Sequence, residues 1–112
     1  MGEFSSVRTV TAAKQHVCEE CRQPILKGER HHYLAFKYDG DFNTLRSHVE
    51  CSEARVAYMR DNDIDEAGFL IDEWESSGEP MENMGFPPIV EARLRQTEAD
   101  RAARQAAQAV KP

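Results

Sequence analysis

Two short stretches, Cys18-Glu19-Glu20-Cys21 and, after 25 intervening residues, Ser47-His48-Val49-Glu50-Cys51, decide how this chain is read. Two cysteines separated by two residues let both sulfurs converge on one cation. A histidine and a cysteine three apart on a helix lie on one face, a turn apart. Four soft or borderline donors in two tight pairs are the arithmetic of a tetrahedral zinc site, so Cys18, Cys21, His48 and Cys51 are the expected metal ligands. The chain has 3 cysteines, an odd count, and its opening residues lack the apolar core of a secretory leader. Both features argue for metal binding over a disulfide framework.

The surrounding residues set the expected elements. Ser47 and Glu50 have capping-box spacing, which predicts a helix that starts at Ser47 and carries His48 and Cys51 in its first turn. Between the pairs, Arg30 to Tyr38 and Asp41 to Arg46 are rich in aromatic and β-branched residues, and Asp39-Gly40 between them is a two-residue hairpin signal. The expected order is therefore knuckle, hairpin, helix. On the helix, Val49, Ser52, Val56 and Met59 follow the spacing of a buried stripe beside the ligand face, which should cover the hairpin. His16, His31 and His32 are expected as strand or surface histidines, because four donors already complete the set.

With Cys18, Cys21, Ile25, Gly28, His48 and Cys51 in that order, residues 16 to 60 resemble a treble-clef zinc finger of the Cys3His type. The pattern is similar to the poly(ADP-ribose) polymerase fingers and to small zinc-finger proteins encoded by bacteriophages. The resemblance implies a knuckle, hairpin and helix sharing one structural zinc, and an accessory or host-inhibiting role. Two departures stand out. The gap between the second cysteine and the histidine is slightly shorter than in the polymerase fingers, and the chain is acidic where readers of DNA breaks are usually basic.

Four protein ligands close a zinc site, whereas catalytic zinc keeps a position for water, so the metal is expected to be structural and the protein not an enzyme. His48-Val49-Glu50 does mimic the H-x-E of zinc deaminases, in which the Glu moves protons. There, however, H-x-E precedes a Pro-Cys-x2-Cys. Here the cysteine pair comes first, Val17 stands where the proline would be, and Cys51 takes the position water would need. A treble-clef nuclease would use His31 or His32, but no matching Asn or second histidine follows on the helix. A zinc-dependent hydrolase or deaminase is the third reading.

The 112 residues carry 14 basic and 20 acidic side chains, a net charge of -6, which fits one small domain. No unbroken apolar run exceeds four residues, so no membrane-spanning segment is expected and the location is read as cytoplasmic. Residues 1–52 hold seven acids and seven bases, residues 53–84 ten and two, and residues 85–112 three and five. The expected organisation is an N-terminal arm over 1–15, a zinc-binding module over 16–60, an acidic helical extension over 61–84 and a Pro-capped, Ala/Arg-rich helix over 85–112. Asp63 and Glu66 suggest a helix over about 63–76 with Ile64, Ala67, Ile71 and Trp74 inward, Gly68 counting against it. Residues 77–88, rich in Gly and Pro, read as a linker or turn-rich loop at which the core ends. Ile89, Ala92, Gln96, Ala99, Ala103, Ala106 and Val110 form an alanine-dominated heptad seam, which supports a monomer or a weak dimer through that helix. Arg93, Arg95, Arg101 and Arg104, interleaved with acids, read as a salt-bridged helix face.

The fold class is thus α+β, a small zinc-stabilised domain, and the expected function is binding another macromolecule. A protein with a basic surface fits the acidic side chains Asp61, Asp63, Asp65, Asp72, Glu73, Glu75, Glu79 and Glu82, which would steer it. The alternative is a nucleic-acid-binding finger, with Arg22, Lys27, Arg30, Lys37 and Arg46 around the hairpin and Tyr33, Phe36, Tyr38 and Phe42 as stacking surfaces.

Overall fold

In the structure, a computed structural model, residues 5–109 are described, together with all their side chains except those at positions 5, 6, 38 and 109. The described residues form an α+β fold of five strands and three α-helices. The strands are β1 (Ser5–Thr11), β2 (His16–Val17), β3 (Pro24–Ile25), β4 (Arg30–Tyr38) and β5 (Asp41–His48), and the helices are α1 (Val49–Asp61), α2 (Leu70–Ser77) and α3 (Pro88–Ala109). Among these residues no helix is long and apolar enough to cross a membrane.

The expected hairpin forms as β4 and β5, paired antiparallel from Tyr38↔Asp41 down to His31↔His48. Asp39 and Gly40 both take positive φ, 52° and 86°, the conformation that a tight two-residue turn needs to match the twist of its strands. The segment read as an N-terminal arm contributes β1, which pairs antiparallel with β4 and makes β4 the central strand of three. β2 and β3 form a separate two-stranded ribbon that brackets the Cys18–Cys21 turn.

Helix α1 begins later than expected. Ser47 remains a strand residue opposite His32, His48 occupies the cap position with extended ψ of 146°, and no side chain caps the helix. The Ser47/Glu50 capping box therefore does not form, because the sheet claims Ser47 first. The inward face also differs from the expected stripe. Cys51 and Ala54 are buried, Tyr58 packs against the core, and Val56 is 61% exposed.

Nor does the second helix start at residue 63. Asp63 turns left-handed, with φ 53°, as the chain leaves α1, and the Ile64 amide closes back on the Met59 carbonyl at 3.0 Å. α2 starts at Leu70, whose amide donates to the Glu20 carboxylate at 2.9 Å, while the Ile71 amide donates to the Glu20 carbonyl at 2.9 Å. A side chain fifty positions away thus supplies the N-terminal partner that a local cap would otherwise provide. α2 ends at Gly78, left-handed at φ 73°, a position that glycine occupies without steric cost.

The core runs past the expected linker. Met81, in a single 3-10 turn over Met81–Asn83, and Phe86 both join the central cluster. On α3 the buried residues are Val90, Leu94 and Thr97, whereas Ile89 is 49% exposed and Ala92, Gln96 and Ala99 face solvent. The alanine seam is therefore the outer face of the helix, and its last member, Val110, lies outside the described residues. Among the described residues, only six sizeable apolar side chains are fully buried: Ile25, Leu70, Ile71, Met81, Val90 and Leu94. A core this small rarely holds a chain of this length by burial alone.

Candidate metal centre

Three elements converge on one point. The turn between β2 and β3 brings in Cys18 and Cys21, the end of β5 brings in His48, and the first turn of α1 brings in Cys51. The donor atoms of these four residues, all buried, lie within 4.8 Å of one another. The turn is folded tightly: the Cys18 amide donates to the Gln23 carbonyl at 3.0 Å, the Arg22 amide to the Cys18 carbonyl at 2.8 Å, and Arg22 accepts a φ of 65° to close it.

The histidine has one orientation open to it. Its Nε2–H donates to the Pro24 carbonyl at 3.0 Å, which leaves Nδ1 as the free lone pair, and Nδ1 lies 3.4 Å from Cys21 Sγ and 3.7 Å from Cys51 Sγ. A tetrahedral centre with zinc's bond lengths to sulfur and nitrogen requires about 3.6 Å between those atoms. The sulfurs also have donors around them. The His48 amide points at Cys18 Sγ (3.4 Å), the Gln23 amide at Cys21 Sγ (3.5 Å) and the Arg93 guanidinium at Cys51 Sγ (3.7 Å). Such bonds favour thiolates and fix the ligands in place.

Electrostatics points the same way. Hydrogen bonds from Cys21 and Cys51 hold the Cys18 thiol far below its ordinary range despite burial, while bonds to Cys18 and Cys21, with burial, push Cys51 far above it. Burial opposes charge on His48, yet the Cys18 and Cys21 sulfurs outweigh it and raise the imidazole to about 10. Four donors crowded this closely compete for protons, and a divalent cation removes the competition by letting every sulfur ionise at once. The residues present therefore fit a metal ion held by Cys18, Cys21, His48 and Cys51.

Several residues that support this centre carry no local sequence signal. Thr97 of α3 donates its hydroxyl to the Cys21 carbonyl and receives Gln23 Nε2 at 2.8 Å. Arg93 reaches both Cys51 and Glu50, the latter at 2.9 Å, so Glu50 serves as an ion-pair partner and not as a capping carboxylate; the guanidinium holds its carboxyl below the usual range. Glu20 is 7% exposed, and burial pushes its carboxyl up to about 7, against the Leu70 amide and Arg55 at 3.6 Å, which favour the charged form. His31 is wholly buried; its Nδ1 donates to the Glu29 carbonyl at 3.2 Å, and Nε2 meets Arg46 at 2.8 Å. None of His16, His31 and His32 belongs to the donor cluster.

The residues expected to form a nucleic-acid surface are divided. Strand alternation puts Tyr33, Lys37, Phe42 and Arg46 on one face of the sheet and Arg30 and Phe36 on the other. Arg22 is tied to Glu19 at 3.0 Å, and the side chain of Tyr38 lies outside the described residues. On α3, Arg93, Arg95 and Arg101 are paired with Glu50, with Glu82 and Glu91, and with Glu75.

Fold and site together define a small α+β protein with a buried Cys3His group able to hold a metal ion. Comparison with protein-family models, with curated proteins and with solved structures finds no match.

Proposed function

We propose that the protein is a zinc-stabilised, non-enzymatic interaction module of treble-clef type whose partner is a protein with a basic surface. The observation that carries this reading is the closed donor set: three sulfurs and one imidazole already satisfy zinc, with no position left for a reacting water. A metal bound this way organises structure, and the knuckle, hairpin, helix order around it supports the treble-clef assignment.

The acidic surface supports the choice of partner. Glu75 and Glu82 are taken up by α3 arginines, and Glu73 by the Tyr58 hydroxyl and the Gly68 amide. Asp63, Asp65, Glu66 and Asp72 remain exposed, with no ion pair among the described residues, around the half-exposed Ile64. Unpaired, exposed carboxylates between residues 63 and 72, with an exposed apolar side chain in the same stretch, suit an accessory or inhibitor protein that occupies a cationic surface.

The test is affinity capture on the zinc-loaded protein from nuclease-treated extract at about 50 mM salt, where exposed charges are weakly screened. The reading requires a basic protein that wild type retains, that a D63N/D65N/E66Q/D72N variant loses, and whose association slows as salt rises. Retention that is indifferent to those four carboxylates overturns it.

A further inference from the structure

The sheet face that carries His48 also holds a recess of about 520 Å³ bordered by Arg8, Val10, Lys14, His16, Tyr33 and Arg46. Arg8 on β1 and Arg46 on β5 are the cross-strand neighbours of Tyr33 on β4, so the three side chains form one row. The guanidinium carbons lie 5.4 Å and 4.7 Å from the Tyr33 ring centroid, within cation–π range. Arg46 is fixed further by the wholly buried His31, 2.8 Å from its Nη1.

These cations differ from the paired arginines of the molecule, and of the cations without a carboxylate within 4.0 Å among the described residues, Lys27, Arg30, Lys37 and Arg104 do not border the recess. Arg22, Arg55, Arg60, Arg93, Arg95 and Arg101 each have a carboxylate within 4.0 Å. Among the described residues, Arg8, Lys14 and Arg46 have none, and no acidic side chain borders the recess. In a chain with 20 acids and 14 bases, three unpaired cations around one concavity form a locally positive site on a negative molecule. Bringing them together costs like-charge repulsion, which a bound anion offsets.

The shape and the donors narrow the anion. The volume falls within the range of about 300–1,000 Å³ typical of small-molecule sites, more than a lone oxyanion fills. Two guanidinium forks and an ammonium match the charge and the oxygens of a phosphate monoester better than a singly charged carboxylate, which one arginine would satisfy. Tyr33 and Val10 add apolar surface beside the charges.

We propose that this recess binds a phosphate monoester of mononucleotide size, with Arg8, Lys14 and Arg46 holding the phosphoryl group and Tyr33 and Val10 lying against the organic part. The site is separate from the acidic surface and does not depend on it.

The test is an amide-resolved NMR titration of the zinc-loaded full chain with adenosine 5′-monophosphate, inorganic phosphate and adenosine. The nucleotide and inorganic phosphate should shift the amides of Arg8, Tyr33 and Arg46, and adenosine should not. An R8Q/K14Q variant, altered only at exposed side chains, should bind the nucleotide at least about tenfold more weakly. A K27Q/R30Q control, which removes equal charge outside the recess, should bind like wild type. No shift at about 10 mM nucleotide, equal binding of adenosine, or equal loss in both variants overturns the proposal. A tetranucleotide with and without a 5′-phosphate identifies the source: preference for the phosphorylated strand supports the monoester as a strand end, and equal binding of the two strands counts against it.

Discussion

Four side chains form the donor set of this protein, and each is held by a group that is not itself one of the four donor atoms. His48 is oriented by the Pro24 carbonyl, Cys21 by its own turn and by Thr97 on its carbonyl, Cys18 by the His48 amide and Cys51 by Arg93. Replacing Cys21 with Ser removes a thiolate from a closed set, so the variant should lose its metal and its cooperative fold. Far-UV circular dichroism and a thermal melt read this directly, and an unchanged melt would rule out a structural site. Arg93→Gln leaves all four donors in place but weakens the donor to Cys51 and the pair with Glu50. Metal affinity in a chelator competition should then drop by about 10- to 100-fold, the usual effect of losing a supporting partner, with the folded spectrum retained at excess metal. The convergence of the four donors was legible from spacing. Arg93 was not, because forty-two positions separate it from the sulfur it meets.

Among the elements, α3 shows most clearly how pattern and packing part ways. Ile89 and the alanines follow a regular heptad, but a stripe of alanine buries little apolar surface, and Val90 with Leu94 buries more. The helix therefore turns that larger pair inward onto the metal turn, where Thr97 also finds the Cys21 carbonyl. Leu94→Ala should cost about 2–5 kcal/mol in urea unfolding, the range for a large-to-small change in a packed core. Ile89→Ala, half-exposed on the other side of the helix, should change stability by no more than about 0.5 kcal/mol. The reverse ranking would place the seam inside. α1 and α2 follow the same logic at their starts: Ser47 was drawn into β5, and Glu20 took the role that Asp63 and Glu66 were expected to fill.

At the scale of the whole molecule, the Cys3His group lies within the apolar core and not at its edge. All three cysteines belong to the same buried cluster as Ile25, Leu70 and Leu94, so a metal held by them would stabilise the same structure as the apolar core. Chelation should therefore unfold the described domain as a unit, with loss of helical signal and of the cooperative melt, and added zinc should restore both. A chelated protein that melts as before would show that the apolar core suffices. Cysteine and histidine bind zinc in their deprotonated forms, so lowering the pH would set protons against a metal held there, and apparent affinity should fall as pH falls.

From the sequence alone came the donor set, the hairpin with its Asp39-Gly40 turn and the α+β class, because each rests on contacts or spacings between near neighbours. The strand built from the first residues, the true start of α2, the inward face of α3 and the Arg8–Tyr33–Arg46 row were decided only by tertiary structure. Each of these depends on which distant partner satisfies an amide, a carbonyl or an apolar face at the lowest cost. Local periodicity carries no record of that competition: Glu20 looks like one more acid beside a cysteine until Leu70 is folded against it.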